Sequence, residues 1–281
     1  MSVYFIAEIG QNHQGDIRIA KQMVDALVGS GVSAIKTGKR DIDVCLSEEQ
    51  KRTPYDNPNS FGKTYYEHRK ALELSHDEFE DLKNYIEKNG FDFVPSFMDA
   101  PSFDFIKNIG CNKIKIPSQS VADPGLLRHV ADNFHGEVFM SSGMSDLADI
   151  KRMIYIFRKN KKHLLQCTSV YPCPEKLLNL AVILVYKKMF MADVDSFGFS
   201  GHHGGIAPDI AAYMYGAEII ERHFTLNRAW KGTDHAASLE IEGVKKIIKY
   251  IAQIDDAIGS PNKKILKEEL PTVQKLRNYL L

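Results

Sequence analysis

In this sequence, chemistry-bearing side chains recur at the ends of short apolar runs. Glu8 closes the run that starts at Val3, and Lys36 closes Ser33 to Thr37. Ser96 follows the third run, Lys115 lies in the fourth and Ser118 stands just beyond it. Ser141 and Ser142 end the fifth, and Thr168, Ser169 and Tyr171 follow the sixth. Ser200, His202 and His203 follow the seventh, and His223 lies in the eighth. Lysines supply point charges and serine hydroxyls donate hydrogen bonds to phosphate oxygens. Two neutral imidazoles from neighbouring strands can hold a divalent ion such as Mn²⁺, with positions left open for substrate. The set therefore suits an anionic, phosphorylated substrate together with a metal. Singly, each residue has a plainer reading. A lysine at a strand end is more often a surface charge, and His223 between Arg222 and Phe224 is as readily a satisfied core histidine.

What converges these residues is the architecture the pattern predicts. The apolar runs are Val3–Ile9, Ser33–Thr37, Phe91–Ser96, Lys113–Ile116, Val138–Ser141, His163–Cys167, Ser196–Ser200 and Ile219–Phe224. Helical patterns separate them, for example Ile17–Leu27, Asp77–Lys88 and Gly243–Ile258. Eight strands alternating with helices are what a (β/α)8 TIM barrel requires, and such barrels carry their catalytic groups at the C-terminal strand ends. The rival is a doubly wound open sheet, but this chain has no GxGxxG after its first run, which removes the commonest dinucleotide-binding form of that rival. Residues 38–75 form a connection far longer than usual. In a barrel it is expected to lie over the active face as a lid, the alternative being a side insertion. His13 and Asn12 either support the next helix or position substrate, and Asp16 reads as that helix's N-cap. Trp230 suits either a sugar site or burial against the rim.

With 281 residues, 44% hydrophobic and 26% charged, the chain can bury a sizeable core without disulfides. A formal net charge of zero favours neither nucleic acid nor a membrane surface as partner. Cys45, Cys111, Cys167 and Cys173 form no CxxC pair, which argues against a zinc knuckle or a thioredoxin-like motif, and scattered thiols in a chain of this size suggest a reducing compartment. The opening MSVYFIAEIG reads as no signal peptide, and no run approaches a membrane span, so the expected location is cytoplasmic.

Several long motifs resemble the sialic acid synthase family. These are Ala7 through Asp16 (AEIGQNHQGD), Phe61-Gly62-Lys63-Thr64-Tyr65 with Glu67-His68, Gln166 through Pro172, Glu221 through Thr225, and Trp230 through Glu240. They run in order from about Phe5 to Pro261 and are closest to the animal-type N-acetylneuraminate-9-phosphate synthases. The resemblance implies a transferase that condenses phosphoenolpyruvate (PEP) with an aldehyde sugar such as N-acetylmannosamine or its 6-phosphate. It implies a divalent metal, Mn²⁺ with Mg²⁺ as the alternative, and a homodimer. By motif, His202 and His223 match the metal ligands, and His202 is grouped with the catalytic set. Lys36, Ser96, Lys115, Ser118, Ser141 and Ser200 match PEP-binding positions, with Ser169 beside them. Glu8 matches a carboxylate near the reacting centre, and Tyr171 and Asp234 match acceptor-side positions.

The chain departs from the family at Lys36-Thr37-Gly38, where Lys-Phe-Gln is usual, and after Ser118, where Gly and then Glu or Asp are usual but Gln119 and Ser120 stand, so the acidic residue is missing at Ser120. The resemblance further implies a barrel over 1–260 and a helical tail over 261–281 in place of the family's antifreeze-like domain. These departures leave the PEP and metal side intact and alter the acceptor side. Two other readings remain open. One is a Schiff-base aldolase using Lys115 or Lys36; the other is a non-catalytic sugar- or phosphate-binding barrel.

Overall fold

In the computed structural model, which describes residues 3–277, strand and helix alternate throughout. β1 (Tyr4–Glu8) leads to α1 (Ile17–Leu27), and β2 (Ala34–Lys36) resumes after one residue as β3 (Gly38–Lys39). Four helices follow: α2 (Ile42–Cys45), α3 (Glu48–Arg52), α4 (Tyr65–Ala71) and α5 (His76–Lys88). β4 (Asp92–Phe93) and β5 (Ser96–Phe97) precede α6 (Ala100–Asn108). Next come β6 (Lys113–Ile116), α7 (Pro124–Asn133), β7 (Glu137–Ser141), α8 (Leu147–Ile156), β8 (Lys162–Cys167) and α9 (Val182–Phe190). β9 (Ser196–Gly201), α10 (Ala207–Met214), β10 (Ile219–His223), α11 (Ile241–Ile258) and α12 (Leu270–Leu276) complete the order.

Every strand pair is parallel, and the sheet runs β3-β5-β6-β7-β8-β9-β10-β1-β2-β4. β2 and β3 are halves of one stave, and β4 and β5 halves of the next. β2 pairs with β4 and β3 with β5, so the ends of that order meet and the staves close a (β/α)8 barrel. The expected runs Ser33–Thr37 and Phe91–Ser96 are therefore each broken. Pro95 has no N–H to give the ladder. Backbone bonds from Val94 N to Ile35 O (3.0 Å) and Ser96 N to Thr37 O (2.9 Å) carry the pairing across the break.

Side chains alternate between lumen and helix layer, with period two. Phe5, Ile35, Ile114, Val138 and Leu164 face outward into the main core under the helices. Inward, the lumen is filled in layers. At the bottom lie Tyr4, Asp92, Lys113, Glu137 and His163, joined by Tyr4–Asp92 (2.6 Å), Lys113–Asp92 (2.9 Å) and His163–Glu137 (2.6 Å) contacts. Above them Ile6, Ala34, Val94, Phe139, Leu165 and Ile219 make a dry plug. The next layer up contains Glu8, Lys36, Ser96, Lys115, Ser141, Ser200 and Glu221, all buried.

The connection over 38–75 is more ordered than a polar loop. Capping boxes start α3 at Ser47, α4 at Thr64 and α5 at Ser75. Tyr55, Phe61 and Tyr65 pack around His68, and Gly232 N donates to Asn59 Oδ1 (3.1 Å), docking this segment on the loop after β10. It walls one side of the mouth. Asp16 caps α1 as expected. Beyond α11, residues through 277 lie almost wholly exposed. Among the described residues no helix is long and apolar enough to cross a membrane, and all four cysteines are free thiols.

Candidate active site

The floor of the site is a buried square of charge. Lys36 Nζ contacts Glu8 Oε2 and lies 3.7 Å from Glu221 Oε1, while Lys115 Nζ lies 2.7 Å from Glu221 Oε2. Ser200 Oγ donates to Glu221 Oε1 at 3.0 Å. Strand register explains the arrangement, since Glu8 pairs with Lys36 on one side and with His223 on the other. Burial works against the Glu221 charge, but Lys115 and Lys36 outweigh it and hold this carboxyl well below its usual range. Burial likewise opposes the charge on Lys36, yet Glu221 and Glu8 raise its pKa. Lys115 is lowered by burial, with Glu221 offsetting only part of that. Gly10, at φ +49°, brings the chain over this floor; a Cβ there would lie 2.9 Å from Glu8 Oε1.

Hydroxyls line the adjoining wall. Ser118 Oγ approaches Cys167 Sγ at 3.6 Å, and Ser169 Oγ is buried without a hydrogen-bond partner. Gly143 allows the β7 loop to close on both, because a Cβ there would meet Ser169 Oγ at 2.4 Å and Ser118 Oγ at 2.5 Å. Ser96 and Ser141 complete the wall from β5 and β7. Ser142 instead donates to Gln166 Oε1 (3.2 Å) and accepts from Cys167 N (3.2 Å), a structural role behind the wall. Thr168 Oγ1 likewise turns away to Leu177 O (2.9 Å).

His202 and His223 face each other with ring centroids 5.3 Å apart, and Tyr171 covers His202 at 4.1 Å. His202 Nδ1 lies 3.2 Å from the Thr168 carbonyl oxygen, which favours a proton on Nδ1 and leaves the Nε2 lone pair free. Burial, then the neighbouring His223, lower the His202 pKa to about 3, so the ring is neutral. His223 Nδ1 is buried with no hydrogen-bond partner and lies 3.9 Å from Asp234 Oδ2. An orphaned imidazole nitrogen beside a neutral imidazole and a carboxylate fits a divalent cation. Among the described residues no three His, Cys, Asp or Glu side chains are grouped tightly enough to complete a metal site, so further ligands would come from substrate or solvent. His203, by contrast, bonds Arg222 outside the lumen.

All these cavity-facing groups, from Glu8 to Asp234, border one space of about 430 Å³, a volume suited to small substrates. Every residue that the family motifs point to lines it, namely Glu8, Lys36, Ser96, Lys115, Ser118, Ser141, Ser169, Tyr171, Ser200, His202, His223 and Asp234, whereas Ser142, Thr168 and His203 from the strand-end set do not. His13 also lines it, while Asn12 is a strut, donating to Phe224 O (2.8 Å) and Ser238 Oγ (2.9 Å). Trp230 packs edge-on to His235 and does not border the space. Gln119 lines the cavity, whereas Ser120 is buried beside it with an unpartnered hydroxyl. At Gly38 the nearest atoms to an added Cβ are Ser96 Oγ (3.2 Å) and Met98 Cε (3.6 Å), so glycine opens room next to Ser96.

Sequence reasoning missed Glu221, Arg40, Arg69 and Glu73. Glu221 was findable, since it stands two residues before His223 on the same strand and so faces the same way. The other three come from the long connection, where no periodicity fixes direction.

Residues 23–263 match the NeuB family. The chain is 36% identical over 275 residues to N-acetylneuraminate-9-phosphate synthase of Homo sapiens, covering 97% of this chain and 76% of that protein. It is 32% identical over 282 residues to N,N'-diacetyllegionaminic acid synthase of Campylobacter jejuni, covering 98% and 83%. Its fold matches the crystal structure of N-acetylneuraminic acid synthetase from Leptospira borgpetersenii in complex with citrate, at TM-score 0.84 and 27% identity over 100% and 93% of the two chains. The chain thus belongs to the NeuB family, the sialic acid synthases.

Proposed function

We propose that this chain joins PEP to an aldehyde sugar, releasing phosphate and forming a 3-deoxy-2-ulosonic acid, with N-acetylmannosamine or its 6-phosphate as leading acceptor. The observation that carries this reading is the convergence of Lys36, Lys115 and a wall of serine hydroxyls beneath two imidazoles. It is supported by the synthase relatives, whose products are acids of this type by name.

Lys36 and Lys115 attract the phosphate and carboxylate of PEP, and Ser96, Ser118, Ser141, Ser169 and Ser200 orient them by hydrogen bonds. Ser169 enters with a free hydroxyl, so binding satisfies a buried polar group. Mn²⁺ or Mg²⁺ held by His202 and His223 would polarise the acceptor aldehyde as a Lewis acid. Tyr171 and Asp234 orient that acceptor. C3 of PEP bonds to the aldehyde carbon, whose oxygen takes a proton to become a hydroxyl. Water then adds at C2, losing a proton that Glu8 is placed to accept or relay, and the C2–O bond to phosphate breaks.

The test follows phosphate release and ulosonic acid formation with PEP, Mn²⁺ and a panel of aldoses. Turnover of at least one aldose is expected, and His223→Ala is expected to abolish it. A stable adduct after borohydride treatment with pyruvate would instead favour the Schiff-base aldolase, and ligand binding without any turnover would favour a non-catalytic barrel.

The same reading includes a barrel over 1–260, a helical tail over 261–281 and a homodimer in a reducing cytoplasm. Residues 1–2 and 278–281 lie outside the described residues. Sedimentation velocity checks the dimer.

A further inference from the structure

Resting on the condensing reading above, we propose that Arg69 selects an acceptor sugar bearing an anionic group remote from its aldehyde. Arg69 ends the long connection on α4 and lines the cavity. Two neutral groups hold its guanidinium. Arg69 Nε donates to Tyr65 OH at 2.8 Å and Nη1 donates to Gln11 Oε1 at 2.8 Å. The same guanidinium lies over the Tyr65 ring, 5.0 Å from its centroid. Among the described residues no carboxylate lies within ion-pair distance of it, unlike every other cation of the cavity. Lys36 and Lys115 face Glu8 and Glu221, and Arg40 Nε lies 2.8 Å from Glu73 Oε1.

Glu73 and Asp234 lie beyond ion-pair distance but feel its charge. With no carboxylate bonded to it, the braced guanidinium can take up a ligand anion and loses little freedom on binding one. Its position relative to the reacting centre follows from the hydrogen-bond arc that starts at Gln11. Gln11 Nε2 donates to Thr233 Oγ1 (2.7 Å), which donates to Asp234 Oδ1 (2.8 Å), beside His223. Arg69 therefore stands on the acceptor side, several bonds' length from where an aldehyde would react. Gly38 leaves space toward Ser96, and no carboxylate projects from position 120, where Ser120 is buried. A phosphate ester and a uronate carboxylate both have the required charge, and phosphate has the tetrahedral oxygens that a guanidinium engages in two bonds.

The test measures kcat/KM for N-acetylmannosamine, its 6-phosphate and the corresponding uronic acid, with saturating PEP and Mn²⁺. Wild type is expected to prefer an anionic acceptor over the neutral sugar by about 10–100-fold, the worth of a charged hydrogen-bond pair. Arg69→Gln is expected to erase that preference through KM, costing the anionic sugars at least about ten-fold more than the neutral one, and Arg69→Lys to restore part of it. The ratio between phosphate and uronate arms identifies which anion is read. If Arg69→Gln fails to fold, Tyr65→Phe removes one brace and is expected to cost the anionic acceptors alone a few-fold. Equal loss on neutral and anionic sugars, or no anionic preference in wild type, overturns the role of Arg69 while leaving condensation standing. No turnover of any acceptor overturns condensation itself.

Discussion

Two clusters of charge share the lumen of this barrel, one below the apolar plug and one above it. The lower cluster joins Tyr4, Asp92, Lys113, Glu137 and His163, and Lys161 reaches in to Glu137 at 3.0 Å. No buried side-chain polar atom there lacks a partner among the described residues. The upper cluster also pairs its lysines and glutamates, but its walls carry the orphaned Ser169 hydroxyl and His223 nitrogen. Charge inside a barrel is therefore not by itself a sign of catalysis. What separates the two clusters is unsatisfied polarity on side chains that border a cavity, which a ligand can complete.

Removing a cation from each cluster should have very different effects. Lys115→Met should lower kcat/KM by on the order of 10²–10³, as loss of an electrostatic stabiliser does, read from phosphate release. Lys113→Met should leave kcat/KM within about two-fold, because its neighbours are satisfied by one another. A comparable activity loss from both would erase the distinction.

A second, smaller effect belongs to the lower cluster. Burial tends to raise the Glu137 pKa, but hydrogen bonds from Lys161 and His163 and the Lys113 charge outweigh it, taking it from 4.5 to about 2. A depressed carboxyl contributes stability that is present above its unfolded pKa and lost as pH falls through the folded one. Wild type should therefore lose unfolding free energy between about pH 4.5 and 2, and Glu137→Gln should flatten that stretch. At pH 7 the substitution should cost about 1–2 kcal/mol by urea unfolding, since solvent screens part of the network.

The smallest effects are the most discriminating. Ser169→Ala removes a hydroxyl with no partner, so stability should hold or rise slightly while KM for PEP increases a few-fold. Ser142→Ala, one residue type and one layer away, should cost about 1 kcal/mol and leave KM unchanged. Thermal melts with matched PEP titrations separate the pair.

The upper cluster was largely legible in the sequence because barrels fix direction at strand ends. Glu8, Lys36 and Lys115 stand where an apolar run stops, and period two then turns them into the lumen. Glu221 obeys the same rule on β10, but a glutamate inside an apolar run reads as a pairing partner until Lys36 and Lys115 are found to share it. The lower cluster was invisible as a unit, since Asp92, Lys113 and Glu137 sit at strand starts, where charge is ordinary. The breaks at Thr37 and Pro95 were missed because apolar character continues through them while the ladder does not. Arg69 lay beyond reach for another reason: its direction depends on Tyr65 and Gln11, which are local and distant at once.

The strut from Asn12 to Phe224 and Ser238 marks the seam where the first and last staves meet. That seam has a consequence for synthesis on the ribosome. Glu8 and Lys36 leave the exit tunnel early, but Glu221 and His223 follow only after roughly tens of seconds of elongation. Until then Lys36, and Lys115 once it emerges, lack the carboxylate they share, and β1 has no partner on one edge. The nascent chain thus carries an incomplete barrel with an open strand edge, the kind of surface that chaperones hold. No active site can exist until the last stave closes.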